Sequence, residues 1–243
     1  MTQDRTQAGT SFLTWPVLLL LAAAALFAVL GVWQVKRLAW KEALIARVEQ
    51  RVDAAPVAPP DEAALRASTL PDLEYLRVRL SGAYVASGTA LTQAVTERGP
   101  GYWVLTPLRL ADGRLLYINR GYVPTGSKLD AVRADTPAGE VTIIGLLRLS
   151  EPKGGFLRSN DPAQDRWYSR DVVALAQARG IGPVAPAFID VQTETPPAGH
   201  APVAGLTVIR FPNSHLAYAL TWFTMMILSL GLAFRIGRRG ADA

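Results

Sequence analysis

The sequence predicts a membrane-anchored α+β protein, with two transmembrane helices at the chain ends flanking a mostly antiparallel β domain with one helix. Three observations carry that prediction. Thr6 to Val35 holds no charged residue, Phe211 to Phe234 holds none, and between them several runs alternate apolar and polar residues. A helix rises about 1.5 Å per residue, so about 20 apolar residues cross a hydrocarbon core of about 30 Å. Alternation at a period of two is the mark of a half-buried strand.

Along the chain, a short tail over 1–11 precedes a first span over 12–35, "FLTWPVLLLLAAAALFAVLGVWQV". The apolar core of a secretory signal is typically about 7–15 residues. This run is longer, Arg5 stands beside Asp4 in a weakly basic leader, and no small-x-small cleavage site precedes Trp33. An uncleaved anchor is the better reading. After it, "KRLAWKEALIARVEQRV" keeps helical spacing through Leu38, Leu44, Ile45 and Val48, which predicts a helical extension over 36–55. "AAPVAPPDEAA" then reads as an extended Pro/Ala linker. The domain over 56–210 carries the strand signals "LRVRLSGAYV", "TALTQAV", "GYWVLTPLRL", "RLLYINRGYVP", "EVTIIGLLRLS" and "AFIDVQT", with "ADG" as a hairpin turn. Its one helix is "SRDVVALAQARG", with Val172, Leu175 and Ala176 at helical spacing and a stop at Gly180. The second span over 211–234 ends abruptly at Arg235, Arg238 and Arg239 in a basic tail over 235–243.

Two spans put both termini on one side and the middle domain on the other. Basic residues flank both faces: Arg5, Arg235, Arg238 and Arg239 on the tails, against Lys36, Arg37, Lys41, Arg47 and Arg210 beside the domain. Long translocated domains escape the positive-inside rule, so charge leaves the orientation open.

The chain has no cysteine, which excludes disulfides, thiolate metal sites and iron–sulfur clusters. Its net charge of +5 is scattered rather than gathered with aromatics, so nucleic acid is not an expected partner. No nucleophile elbow, phosphate-binding loop, dinucleotide fingerprint or zinc-protease motif is present, and Asp161, Asp165, Asp171 and Asp190 are not spaced as a catalytic pair. His200 sits in the loop-like "ETPPAGHAPVAG". The expectation is a protein that is not an enzyme.

The other histidine, His215, opens the second span. On a helical wheel His215, Ala219, Trp222, Met226 and Ser229 share one face, with Tyr218 at its flank. Two readings are open. Histidine, tyrosine and tryptophan at a bilayer edge form an ordinary aromatic belt. A neutral imidazole is also an axial haem ligand, and a flat macrocycle suits the gap between packed helices. Copper is disfavoured, because Met225 and Met226 gather no further soft ligands. In the first span Trp33, Arg37 and Trp40 share a face. They read either as an interface anchor or, with Lys36 and Arg210, as cations facing haem propionates, where Arg37 and Arg210 would form the clamp.

Four blocks carry a resemblance: "LGVWQVKRLAWK" (Leu30 to Lys41), "NRGYVP" (Asn119 to Pro124), "NDP…WYSRD" (Asn160 to Asp171) and "NSHLAYALTWF" (Asn213 to Phe223). In that order, over essentially the whole chain, they resemble the Surfeit locus protein 1 family of cytochrome c oxidase assembly factors. The resemblance implies an extracytoplasmic domain with both termini inside, and a role in maturing the haem-bearing catalytic subunit, with haem A synthase as a further possible partner. It implies haem A as a transiently bound cofactor with His215 as iron ligand, in the block that also holds Asn213, Tyr218, Thr221 and Trp222. With Arg37 and Arg210, Tyr218 and Trp222 complete the candidate site beside His215. The leader is too short and too poor in basic residues for a mitochondrial transit peptide, so the expected setting is a bacterial inner membrane. A cofactor-free scaffold for an oxidase assembly intermediate is the alternative. In "NRGYVP", Asn119 and Arg120 are either partner contacts or part of a bend that Gly121 permits and Pro124 ends.

Overall fold

The computed structural model describes residues 15–155, 157–197, 202–206 and 211–241. The chain divides into two compact units, Met1–Arg47 with Arg210–Ala243, and Val48–Ile209.

The first unit is a helix pair. Helix α1 (Trp15–Asp53) runs 39 residues without a break, so the first span and its polar extension are one element, whose last turns belong to the second unit. Helix α5 (His215–Ala241) runs 27 residues. Both are long and apolar enough to cross a membrane. Val17, Ala24 and Gly31 are buried at intervals of seven on α1, and Ala219 and Ala233 are buried fourteen apart, two such intervals, on α5. That period makes the antiparallel seam of a two-stranded coiled coil, and its small residues let the backbones approach.

The second unit has six strands: β1 (Arg77–Tyr84), β2 (Ala90–Thr96), β3 (Gly99–Leu110), β4 (Leu115–Pro124), β5 (Glu140–Leu149) and β6 (Ala187–Thr195). They coincide with the six runs read from the sequence. Their order is β1-β5-β6-β4-β3-β2, and β1 also pairs with β3 from Gly82↔Leu110 to Tyr84↔Leu108. That extra pairing closes β1, β5, β6, β4 and β3 into a ring, which leaves those strands no open edge. The sheet is mixed: β4 and β6 run parallel through Tyr117↔Phe188 to Asn119↔Asp190, while the other pairings are antiparallel. In the "ADG" turn, Gly113 N donates to Leu110 O at 3.0 Å and Leu110 N to Arg114 O at 2.9 Å.

Alternate residues of a strand serve opposite faces. Leu116 and Ile118 of β4 join Ala187, Ile189 and Val191 of β6 in one core, whereas Tyr117 and Phe188 join a second. The second core is capped by helix α4 (Val172–Arg179), whose Val172, Leu175 and Ala176 are the apolar face expected of it. Asp171 Oδ1 accepts from Ala174 N at its start, and Gly180 closes it in a left-handed conformation.

Two features differ from expectation. The single predicted helix is joined by α2 (Glu62–Arg66) and α3 (Leu129–Ala134), each too short to show a helical period in sequence. The Pro/Ala stretch is not a plain linker: Val57 bridges Val78, and Asp61 caps α2, which buries Leu65. Proline only disfavours helix up to the residue before it, so an aspartate cap can restart one directly after.

Candidate functional site

The polar centre of the helix pair lies at its His215 end. Asn213 Oδ1 accepts from His215 N at 3.4 Å, a side-chain cap for the start of α5. The imidazole turns into the seam, where His215 Nδ1 and Gln34 Oε1 lie 2.7 Å apart. Gln34 is only 8% exposed. His215 Nε2 makes no hydrogen bond among the described residues.

Beyond that pair the seam is filled by rings. Trp222 stacks on Phe27 with centroids 5.7 Å apart and planes inclined by 25°. Phe223 occupies the space beside Gly31, where an added Cβ would stand 2.6 Å from Phe223 Cε1. The hydroxyls of Thr221, Thr224 and Ser229 donate to carbonyls one turn back, at 2.8–2.9 Å. These three hydroxyls are thereby satisfied within their own helix, as an apolar surround requires.

The other expected site residues are distributed unevenly. Trp222 is in the seam with His215, whereas Tyr218 is 54% exposed on an outer face. Arg37 is exposed, with its guanidinium 4.0 Å from the Trp40 ring centroid. Arg210 and His200 lie outside the described residues. The residue that sequence reasoning passed over is Gln34. The signal was present: it is the last polar residue of a charge-free run, and it lies one turn from Gly31 on the small-residue face.

A second polar cluster lies in the β unit, and it absorbs two of the quoted blocks. Asp190 of β6 is 3% exposed. Asn119 Nδ2 donates to its Oδ1 at 2.7 Å, Arg148 Nη1 to its Oδ2 at 3.1 Å, and Arg170 Nη1 to its Oδ1 at 3.5 Å. Arg148 also reaches Glu74 at 3.2 Å, and Arg170 reaches Glu151 at 2.5 Å. Burial alone would raise the Glu151 carboxyl, but the hydrogen bonds and charge of Arg170 outweigh it and hold the group below its ordinary range. Neighbouring Asn160 staples its loop, with Oδ1 accepting from Tyr168 N at 2.8 Å and Ser169 N at 3.2 Å. These are the bonds of a folded domain, with each charge answered by another.

"NRGYVP" resolves into structure. Arg120 is the extra residue of a bulge in β4, because Val104 faces Gly121 while Leu105 faces Asn119. Gly121 has φ +126°, and a Cβ there would meet Val203 O at 2.3 Å. Arg120 is 1% exposed, stands 4.9 Å over the Tyr84 ring and donates from Nη1 to Thr136 Oγ1 at 3.2 Å. Burial, then the nearby Glu194 carboxylate, push the Tyr84 phenol far up, and Arg120 opposes them only in part. Pro124 ends β4, as expected.

The family model of the SURF1 family matches residues 21–227, from within α1 to within α5. The chain belongs to the SURF1 family. Among its relatives, Surfeit locus protein 1 of Homo sapiens is 34% identical over 95% of this chain and 79% of its own length. A SURF1-like protein of Monosiga brevicollis is 33% identical, covering 88% and 84%. Surfeit locus protein 1 of Takifugu rubripes is 33% identical, covering 88% and 92%. The SURF1 match takes in part of each helix as well as the β unit, and His215, Gln34 and the Asp190 cluster all fall within it.

Proposed function

We propose that this chain is a membrane-anchored assembly factor for cytochrome c oxidase that binds haem A through His215 and assists its insertion into the catalytic subunit. It acts as a carrier and chaperone rather than an enzyme. The observation behind this reading is the imidazole itself: Nδ1 is engaged by Gln34 inside the helix seam while Nε2 is left without a partner among the described residues. A neutral imidazole with one nitrogen held and the other open is the arrangement in which histidine ligates haem iron. When bound, the haem supplies the iron that such a nitrogen coordinates. The chain's own part is to orient the ring, shield it from water in an apolar seam and give the macrocycle aromatic surface at Trp222.

The seam sets a condition on that binding. Trp222 on Phe27 and Phe223 on Gly31 occupy the space between the helices beyond His215. A macrocycle held there displaces these rings, which suits a ligand that is taken up and passed on. The same packing favours a second reading, a cofactor-free scaffold that stabilises an oxidase intermediate, because a filled seam needs no ligand. In either reading we place both termini in the cytoplasm and the β unit in the periplasm of a bacterial inner membrane, where it meets the catalytic subunit, with haem A synthase as a further proposed partner. Arg37 and Arg210 are proposed as propionate partners.

The test is the optical spectrum of the full chain purified from a host that makes haem A, beside His215→Ala. The expected result is a haem A band in the wild type that the variant loses while keeping its circular dichroism. If both are colourless with haem A available, the scaffold reading stands instead.

A further inference from the structure

Gln34 is out of place in its surroundings. Its neighbours along the seam are Val17, Ala24, Phe27 and Gly31, and it is 8% exposed among them. An amide without a partner in such a place costs the full desolvation of its polar atoms. Its partner is His215 Nδ1, 2.7 Å away and 181 positions along the chain.

The chemistry of that contact has a direction. An amide oxygen only accepts, so with Oε1 facing the ring, His215 Nδ1 carries the hydrogen and donates it. A neutral imidazole has a single N–H, so Nε2 keeps its lone pair. Histidine left in water prefers the opposite tautomer, with the hydrogen on Nε2, so that only Nδ1 has a lone pair for a metal. The contact therefore reverses an intrinsic preference, and it also fixes the plane of the ring.

We infer that Gln34 is a positioning residue, which holds His215 as the Nδ1–H tautomer and presents Nε2 to iron. This rests on the haem-ligand reading of His215. The amide reaches the iron only through the imidazole, as the partners of metal-bound histidines commonly do. The arrangement also ties ligand readiness to the pairing of α1 with α5, because donor and acceptor come from different helices. The ring is oriented for a ligand only when the two helices are together.

Nitrogen NMR of the full chain in lipid nanodiscs, free of haem and at a pH where imidazole is neutral, tests the tautomer directly. The chain has only two histidines, so ring-labelled histidine gives two spin systems, and His200→Gln assigns them. In the wild type, His215 Nδ1 is expected to be pyrrole-like and Nε2 pyridine-like. Gln34→Leu, which suits an apolar seam, is expected to reverse or mix them, while Gln34→Glu keeps an acceptor and is expected to preserve them. A pyrrole-like Nε2 in the wild type, or an unchanged spectrum in Gln34→Leu, overturns the inference.

Haem A titration then asks whether the tautomer matters. Gln34→Leu is expected to weaken binding by about 10–100-fold, the usual effect of losing such a partner, with Gln34→Glu close to the wild type. Equal affinity in Gln34→Leu overturns the positioning role. A wild type that shows the Nδ1–H tautomer yet binds no haem A upholds the control of the ring by Gln34 and rejects the haem-ligand reading instead.

Discussion

Asp190 shows how one carboxylate organises a region that sequence spacing leaves unpaired. It receives Asn119 from the parallel strand and two arginines, Arg148 from β5 and Arg170 from the turn before α4. Removing the carboxylate leaves Arg148 to Glu74 and Arg170 to Glu151 alone and strips the buried Asn119 amide of its acceptor, a loss of about 1–3 kcal/mol. Asp190→Ala is therefore expected to lower the denaturation midpoint of the β unit by that order, read by urea titration of the full chain in detergent. A change below 1 kcal/mol would mean that water reaches the cluster. The asparagine and arginines of "NRGYVP" and "WYSRD" are polar residues of blocks that resemble a family, which invites a functional reading. The burial of Asn119 and Arg120, and the ion pairs of Arg170 with Glu151 and Asp190, assign them to holding the domain together.

At the scale of elements, the helix pair depends on Gly31. A side chain there would enter the Phe223 ring, and overpacking of this kind typically costs about 1–3 kcal/mol. Gly31→Leu is expected to part the helices locally and to break the Phe27–Trp222 stack, seen as a shift in Trp222 emission in a variant whose other tryptophans are phenylalanine. An unchanged emission would show that Phe223 simply turns aside. The strands were legible in sequence as alternating runs, as in β1, or as continuous apolar runs, as in β4, set off by turn residues, and α4 by its helical spacing and its stop at Gly180. The short α2 and α3 were not, since five or six residues hold too little period to register.

At the scale of the whole molecule, the two apolar helices stand at opposite ends of the chain and the β unit between them, so a bilayer crossing by both puts the termini on one side. The absence of cysteine makes this directly measurable. Lys128→Cys, exposed at the start of α3, is expected to react with an impermeant maleimide from the face opposite to Arg239→Cys at the end of α5. Labelling of both from the same side would remove one of the two crossings.

Composition alone determined that this chain has two helices of membrane length, an alternating β-rich middle and no thiol chemistry, because those properties reside in local runs and counts. It also singled out His215, through the rarity of an ionisable ring at the edge of an apolar helix. Only the tertiary structure decided that the sheet closes through β1 and β3, that β4 and β6 run parallel, and that Gln34 faces His215 across 181 residues. Each of these is a pairing between distant segments, and its energy depends on which partner arrives, something no local pattern of residues encodes.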